Sequence, residues 1–407
     1  MEKEIWVYVD LKGVPHLAGR LWTRLRKNKE SATFEYDKNW LEYPERFSLD
    51  PVLTLDPGPF QAHPGQILFG ALGDSAPDRW GRSLMRRAER RRAEHLHETP
   101  RTLWETDYLL GVSDEARQGA LRFSIQKGGP FLASGDTKIP PLLELPKLLA
   151  ATEHLLSKTD TDEELQLLLV PGSSLGGARP KASVRDRDGV LSIAKFPRQD
   201  DDINVTLWEA LALTLAKKAG ISVPVWRLEK VAGRTVILLS RFDRAGKIRI
   251  PFLSAMSMLN AKDNETRSYL EIAESLRRFG ASPKEDMMEL WRRIVFNILI
   301  SNTDDHLRNH GFLYEGPRGW RLSPAYDMNP VPTDIKRKIL STAINLEDTT
   351  ASVDLAMEVY SYFDLNLNKA SEILKEVRNS VKTWREEALK IGLKKTEINR
   401  MESAFEI

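Results

Sequence analysis

The 407-residue sequence contains no cysteine. Disulfides and thiolate-bound metals are therefore excluded, and any metal would have to be held by oxygen or imidazole nitrogen. No apolar run approaches the ~20 residues needed to cross a bilayer. The opening "MEKEIWVYVD" lacks the basic-then-apolar order of a secretory signal. A charge of one sign is missing too: 60 Lys and Arg stand against 58 Asp and Glu, a formal net charge of +2. Composition alone thus gives no argument for nucleic acid. The expectation is a soluble, cytoplasmic protein with no membrane partner, long enough for two or three domains.

What is present is a changing pattern along the chain. "IWVYVD" alternates as a strand, and proline and glycine punctuate residues 44–73 as loops and short strands. A helix is expected from Pro77 through "DRWGRSLMRRAERRRAEHL", with Arg82, Arg86, Arg87, Arg90, Arg91 and Arg92 at spacings that place several on one face. The simpler reading is a solvated face, partly neutralised by Glu89 and Glu94. The alternative is a contact with nucleic acid or an acidic partner. "QKGGPFLASGDTKIPP", 126–141, reads as a boundary loop. Two helices follow, the first despite Pro146, and then a hairpin over 181–197. "NVTLWEALALTLAKKAG" is a glycine-terminated helix, and "TVILLSRF" an apolar strand. From about residue 252 the pattern is mostly helical, broken by a β-like stretch at 311–327. The expected fold class is α+β in three parts: an N-terminal α/β module (1–140), a small α+β lobe (141–250) and a mainly helical lobe (251–407).

Chemistry concentrates in "SNTDDHLRNHGF", 301–312. Met287, Leu290, Trp291, Ile294, Val295, Ile298 and Leu299 before it have the spacing of a buried helix stripe, a rigid base for a polar loop. After it come "GFLYE", a turn, and "WRLSPAYDM", a hairpin leading to Asp327. An apolar helix, an Asp loop with an Asn five residues on, a hairpin and a second Asp follow the order of a protein-kinase catalytic lobe. One carboxylate (Asp304) accepts the proton of the attacking hydroxyl. Asn309 and Asp327 hold magnesium on the phosphates of ATP. Upstream, "PGSSLGGARPK" offers backbone amides to phosphate, Gly176 and Gly177 among them. Lys195 ends "SIAKF" as a phosphate-pairing lysine, and Glu209 follows on the next helix as its clamp. The strand "VILLSRF" serves as the adenine hinge. The Walker A alternative fails because Gly172 and Gly177 are followed by Ala178-Arg179 instead of Lys-Ser/Thr. A metal-hydrolase site of Asp304, Asp305, His306 and His310 leaves Lys195, Glu209 and the glycine loop without roles. His306 is expected to brace the loop, and Asp305 has no assigned role.

The stretches "SSLGGARPKASV", "LSIAKFP", "WEALALTLAKKAGI", "SRFDR", "NTDDHLRNHGF" and "LSPAYDMNP" resemble the HipA family of bacterial toxin serine/threonine kinases. "FEYDKNWL" and "LFGALGDSAPDRWGR" resemble its N-terminal module more loosely. The resemblance implies a protein-kinase-like two-lobed fold with a mainly helical C-terminal lobe and that extra module. It implies Asp304 as catalytic aspartate, Asn309 and Asp327 as magnesium ligands, Lys195 as the ATP lysine, and Ser240 and Phe242 as the adenine hinge. Asp243 would touch ribose or hold the hinge. Ser174, with Ser173 beside it, matches the family's inhibitory autophosphorylation site. A small DNA-binding antitoxin (HipB-like), operator DNA reached through that complex, and an aminoacyl-tRNA synthetase substrate are the implied partners. Two other functions use the same residues or spare them: a small-molecule phosphotransferase, and a DNA-binding regulatory subunit with a degenerate kinase fold.

Overall fold

The computed structural model describes residues 2–62, 66–133, 139–172 and 177–405. The chain packs as two compact units, Met1–Gln199 with Glu229–Leu253, and Asp200–Leu228 with Ser254–Ile407.

The first unit opens with three long antiparallel strands, β1 (Glu2–Leu11), β2 (Val14–Arg26) and β3 (Lys29–Tyr36). Both connections are two-residue turns with φ positive at each position: Lys12 and Gly13 at 54° and 85°, Lys27 and Asn28 at 47° and 56°. That is the turn whose twist matches paired strands. Short β4 (Pro59–Gln61) and β5 (Leu121–Ser124) complete a sheet in the order β4-β3-β2-β1-β5.

A second sheet belongs to the same unit but for residues 226–228. Its strands are β6 (Lys181–Arg185), β7 (Leu191–Lys195), β8 (Trp226–Val231) and β9 (Arg234–Ser240), in the order β6-β7-β9-β8. Helices Leu145–Ser157 and Asp162–Gly172 cover it. Pro146 lies in the first turn of its helix, where no backbone donor is needed, so the helix tolerates it. Trp80 and Leu84, on the inner side of the arginine-rich helix Arg79–His95, join the core made by those helices and the sheet.

In the second unit, helix Pro283–Leu299 carries the expected stripe, and Met287, Leu290, Trp291, Ile294 and Ile298 are fully buried. Each such side chain contributes roughly 1.5–3 kcal/mol of burial free energy, which anchors the loop that follows. The hairpin Gly311–Tyr314/Trp320–Leu322 returns the chain. Residues 323–352 contain no helix or strand: the expected β-like stretch to 327 ends at Leu322, and the mostly helical pattern beyond it gives way to irregular backbone up to residue 352. Pro324, Pro330 and Pro332 remove backbone donors and restrict the residues before them.

Candidate active site

Lys195 is the last residue of β7, an interior strand. Lys181 of β6 and Ile237 of β9 lie directly opposite it. Opposed residues on neighbouring strands share a face, so two lysines gather at this end of the sheet. Gly177 has φ +81°, a conformation that costs little only for glycine. Its N–H donates to Asp78 Oδ2 (2.6 Å), and its carbonyl accepts from the Trp80 N–H (3.1 Å). Asp78 also caps helix Arg79–His95, accepting from the Arg79 N–H at 2.7 Å. The Trp80 indole donates to the Lys181 carbonyl (2.8 Å). One helix end thus holds the residue that follows the glycine-rich stretch. Ser173, Ser174 and Gly176 lie outside the described residues.

Ser240 ends β9 opposite Ser192, and the half-buried Phe242 ring lies 6.4 Å from that of Phe252. Asp243 is 3 % exposed. It accepts from the Gly119 N–H (2.8 Å), from Arg241 Nε and Nη2 (2.8 and 2.6 Å) and from Arg244 Nη1 (2.7 Å). Burial pushes its carboxyl upward, but the Arg241 and Arg244 guanidiniums outweigh burial and hold it below the ordinary range. Of the two roles left open by the sequence, ribose contact or hinge support, this geometry fits the second.

Four arginines of the arginine-rich helix make ion pairs or hydrogen bonds, and only part of its face is solvated as expected. Arg82 makes a two-pronged pair with Glu105 (2.6 Å each), and Arg87 grips the buried Asp160. Arg91 donates to the Asp160 carbonyl (2.8 Å), and Arg92 pairs with the buried Glu89 (2.8 Å). The i,i+4 spacing that aligned Arg87 with Arg91 lets both reach one aspartate. Arg86, Arg90 and the paired Arg92 are exposed.

The aspartate loop lies in the second unit. Asp304 is exposed and its neighbour Asp305 is 3 % exposed. The Asp304 carbonyl accepts from Asn309 Nδ2 (3.0 Å), which leaves the Asn309 Oδ1 as a hard oxygen donor for a cation. The segment carrying Asp327 is tied back to this loop. Tyr326 Oη donates to the Arg308 carbonyl (2.7 Å), the Asn329 N–H to Asn302 Oδ1 (3.2 Å) and the Val331 N–H to the Ser301 carbonyl (3.3 Å). Half-buried Asp327 has φ +58°, a strained conformation for a non-glycine residue. An amide oxygen and a carboxylate suit a hard divalent cation.

Asp305 accepts three donors on one oxygen, Oδ2: Tyr269 Oη (2.5 Å), Asn297 Nδ2 (2.7 Å) and His310 Nε2 (2.9 Å). Burial raises its carboxyl, yet His310, by charge and hydrogen bond, and the Tyr269 hydroxyl lower it below the ordinary range. Through that oxygen Asp305 and His310 are paired with each other. His310 braces the loop through Nε2 on Asp305, and among the described residues the Nδ1 atoms of both His306 and His310 are buried without a hydrogen-bond partner. Glu209 is 3 % exposed on helix Val205–Lys218, in the second unit, while Lys195 belongs to the first. Sequence reasoning misses Asp305 because an Asp-Asp pair reads as two equivalent polar residues. Asn297, on the apolar stripe's own helix, is the available signal, a polar residue in a buried turn.

Comparisons with known proteins agree with this layout. A family model described as "HipA-like C-terminal domain" matches residues 173–384, and "HipA N-terminal domain" matches residues 14–104. "Putative kinase Y4mE" of Sinorhizobium fredii is 25% identical over 217 residues, covering 50% of this chain and 49% of that protein. A "Putative kinase" of Haemophilus influenzae is 27% identical over 196 residues, covering 42% of this chain and 57% of that one. The chain thus spans about half the length of the curated relatives it matches. A solved structure, "Shewanella oneidensis MR-1 Toxin Antitoxin System HipA, HipB and its operator DNA complex", superposes with TM-score 0.68 at 16% identity. It covers 98% of this chain and 94% of its own. At that identity the match speaks for the fold, which is α+β and kinase-like.

Proposed function

The chain belongs to the HipA family, and on that premise we propose that it is an ATP- and magnesium-dependent protein serine/threonine kinase acting as a toxin. The observation that carries this reading is the aspartate loop: an exposed Asp304 whose own carbonyl is bound by Asn309, with the Asp327 segment tied back onto the same loop. In this reading Asp304 accepts the proton of the attacking hydroxyl as its oxygen bonds to the γ-phosphorus and ADP leaves. Lys195 pairs the α- and β-phosphates, with Glu209 as its clamp. The glycine-rich stretch presents backbone to phosphate at Gly176, whereas the Gly177 N–H, expected to do the same, is taken by Asp78 and anchors the end of that stretch instead; Ser240 and Phe242 bind adenine. Asn309 and Asp327 hold the magnesium, which supplies charge neutralisation of the phosphates when bound.

Autophosphorylation of Ser174 or Ser173 would switch the enzyme off. A phosphoserine adds about two negative charges and opposes the phosphates of ATP at the same loop. A HipB-like DNA-binding antitoxin, contact with operator DNA through it, and an aminoacyl-tRNA synthetase substrate complete the proposal. Support for the antitoxin is the fold shared with the HipA of the HipA–HipB–DNA complex. The test is phosphoproteomics on cells expressing wild type or Asp304→Ala. New phosphoproteins with wild type alone are expected, and none with either would overturn the kinase reading. Mass spectrometry after Mg-ATP incubation is expected to place phosphate on Ser173 or Ser174, and Ser174→Ala is expected to remain active and to be more toxic.

A further inference from the structure

We propose that Asp305 is a positioning residue for phosphoryl transfer, acting through the backbone it shares with Asp304 and through His310 beside Asn309. The proposal rests on the kinase reading above and adds to it a residue that never touches substrate.

The argument begins with one peptide group. The Asp304 carbonyl and the Asp305 N–H belong to the same plane. On one side that plane is held by Asn309 Nδ2, which donates to the Asp304 carbonyl at 3.0 Å. On the other, the Asp305 side chain turns into the core, where Tyr269, Asn297 and His310 converge on Oδ2 within 2.5–2.9 Å. The Asp305 carbonyl is held as well, accepting from Thr342 Oγ1 at 2.7 Å. The anchors come from the start of helix Tyr269–Phe279, the last turns of helix Pro283–Leu299, and the residue after Asn309. Asn297 closes the circuit by accepting at Oδ1 from Asn302 Nδ2 (3.0 Å), at the loop's entrance.

Two consequences follow. The direction of the Asp304 side chain is set by a peptide that cannot rotate without breaking bonds to a buried carboxylate. Asn309 is fixed from both sides, by its amide on Asp304 and by its neighbour His310 on Asp305. A loop without regular structure thus gains the stiffness that a catalytic base requires. Misplacement of reacting groups by about 1 Å costs on the order of 10²-fold in rate.

The test measures autophosphorylation kinetics of the purified full chain with Mg-ATP, alongside thermal melting. Asp305→Ala is expected to lower kcat about 30- to 100-fold while KM for ATP stays within about threefold, because the lysine group is untouched. Asp305→Asn leaves a carbonyl oxygen for the three donors and should recover most of that loss. Tyr269→Phe removes one donor and keeps the packing, and should lower kcat about three- to tenfold. Should Asp305→Ala fail to fold, Asp305→Asn and Tyr269→Phe decide. Folded variants with wild-type kcat overturn the proposal, as does a loss that disappears once rates are normalised to folded protein. Asp304→Ala, run in parallel, separates the two claims. If it matches an active wild type, the kinase reading fails; if it is inactive while the Asp305 and Tyr269 variants are not, only the positioning role fails.

Discussion

The lysine group and the aspartate group are held in place by different means. Lys195 stands at the end of an interior strand, fixed by ladder hydrogen bonds to β6 and β9 that any residue's backbone supplies. Asp304 and Asp327 stand on irregular backbone and Asn309 ends a single 3₁₀ turn, Leu307–Asn309, and what fixes them is a set of particular side chains: Asn297, Asn302, Asp305, His310 and Tyr326. Position on a sheet is therefore tolerant of neighbouring substitutions, whereas position on this loop is not. Buried polar networks raise the stakes further, since removing one member strands the others without partners.

The sharpest test of that contrast is Asp304→Ala. The residue is exposed, so stability should change by less than about 0.5 kcal/mol, while phosphoryl transfer should fall by about 10²- to 10⁴-fold. A radiolabel-transfer assay with a melting curve reads both. Next comes Asp243→Ala, which strands the Arg241 and Arg244 guanidiniums in the first unit. Breaking a buried pair of this kind costs roughly 3–5 kcal/mol, readable by urea unfolding. The sign with pH is set by the lowered carboxyl of Asp243. Its contribution is present above the unfolded-state value of about 3.9 and is lost as pH falls through the still lower folded-state value. The gap between wild type and variant should therefore narrow on acidification.

Asp78→Ala is a smaller perturbation. It removes a helix cap worth about 1 kcal/mol together with the anchor on the Gly177 N–H. A rise in KM for ATP of a few-fold, with kcat nearly unchanged, is expected from steady-state kinetics. Smallest of all is Ser183→Ala in β6. The Ser183 hydroxyl is fully buried, with no hydrogen-bond partner among the described residues. Its removal should be neutral or stabilising by up to about 1 kcal/mol, with unchanged kinetics. A large loss of activity there would break the claim that the lysine group is held by backbone pairing.

Much of this is legible in the sequence for identifiable reasons. The stripe from Met287 to Leu299 repeats at helical spacing, and burial on one face is what such spacing means. The hairpin around the turn "RDRDG" needs only its turn residues, and the strands fall at Lys181–Arg185 and Leu191–Lys195. The arginine run misleads because pattern reports that charges share a face, not what that face meets. Asp160 and Glu105, the partners of Arg87 and Arg82, are distant in sequence. Residues 328–352 fall in a stretch whose pattern predicts mostly helix, but their prolines and loop-directed hydrogen bonds hold them irregular.

The sequence by itself determined the element types around the site, the order of Lys195, Asp304, Asn309 and Asp327, and the family to which the chain belongs. The element types and the residue order follow from local periodicity and spacing, and the family from the resemblance of its motifs and the matching family models; all are properties of the chain as written. Only the tertiary structure separated Asp304 from Asp305. Two identical side chains, one residue apart, differ because one faces solvent and the other meets donors contributed by Tyr269, Asn297 and His310. Burial and the convergence of distant donors are set by packing, and no spacing within the loop encodes them.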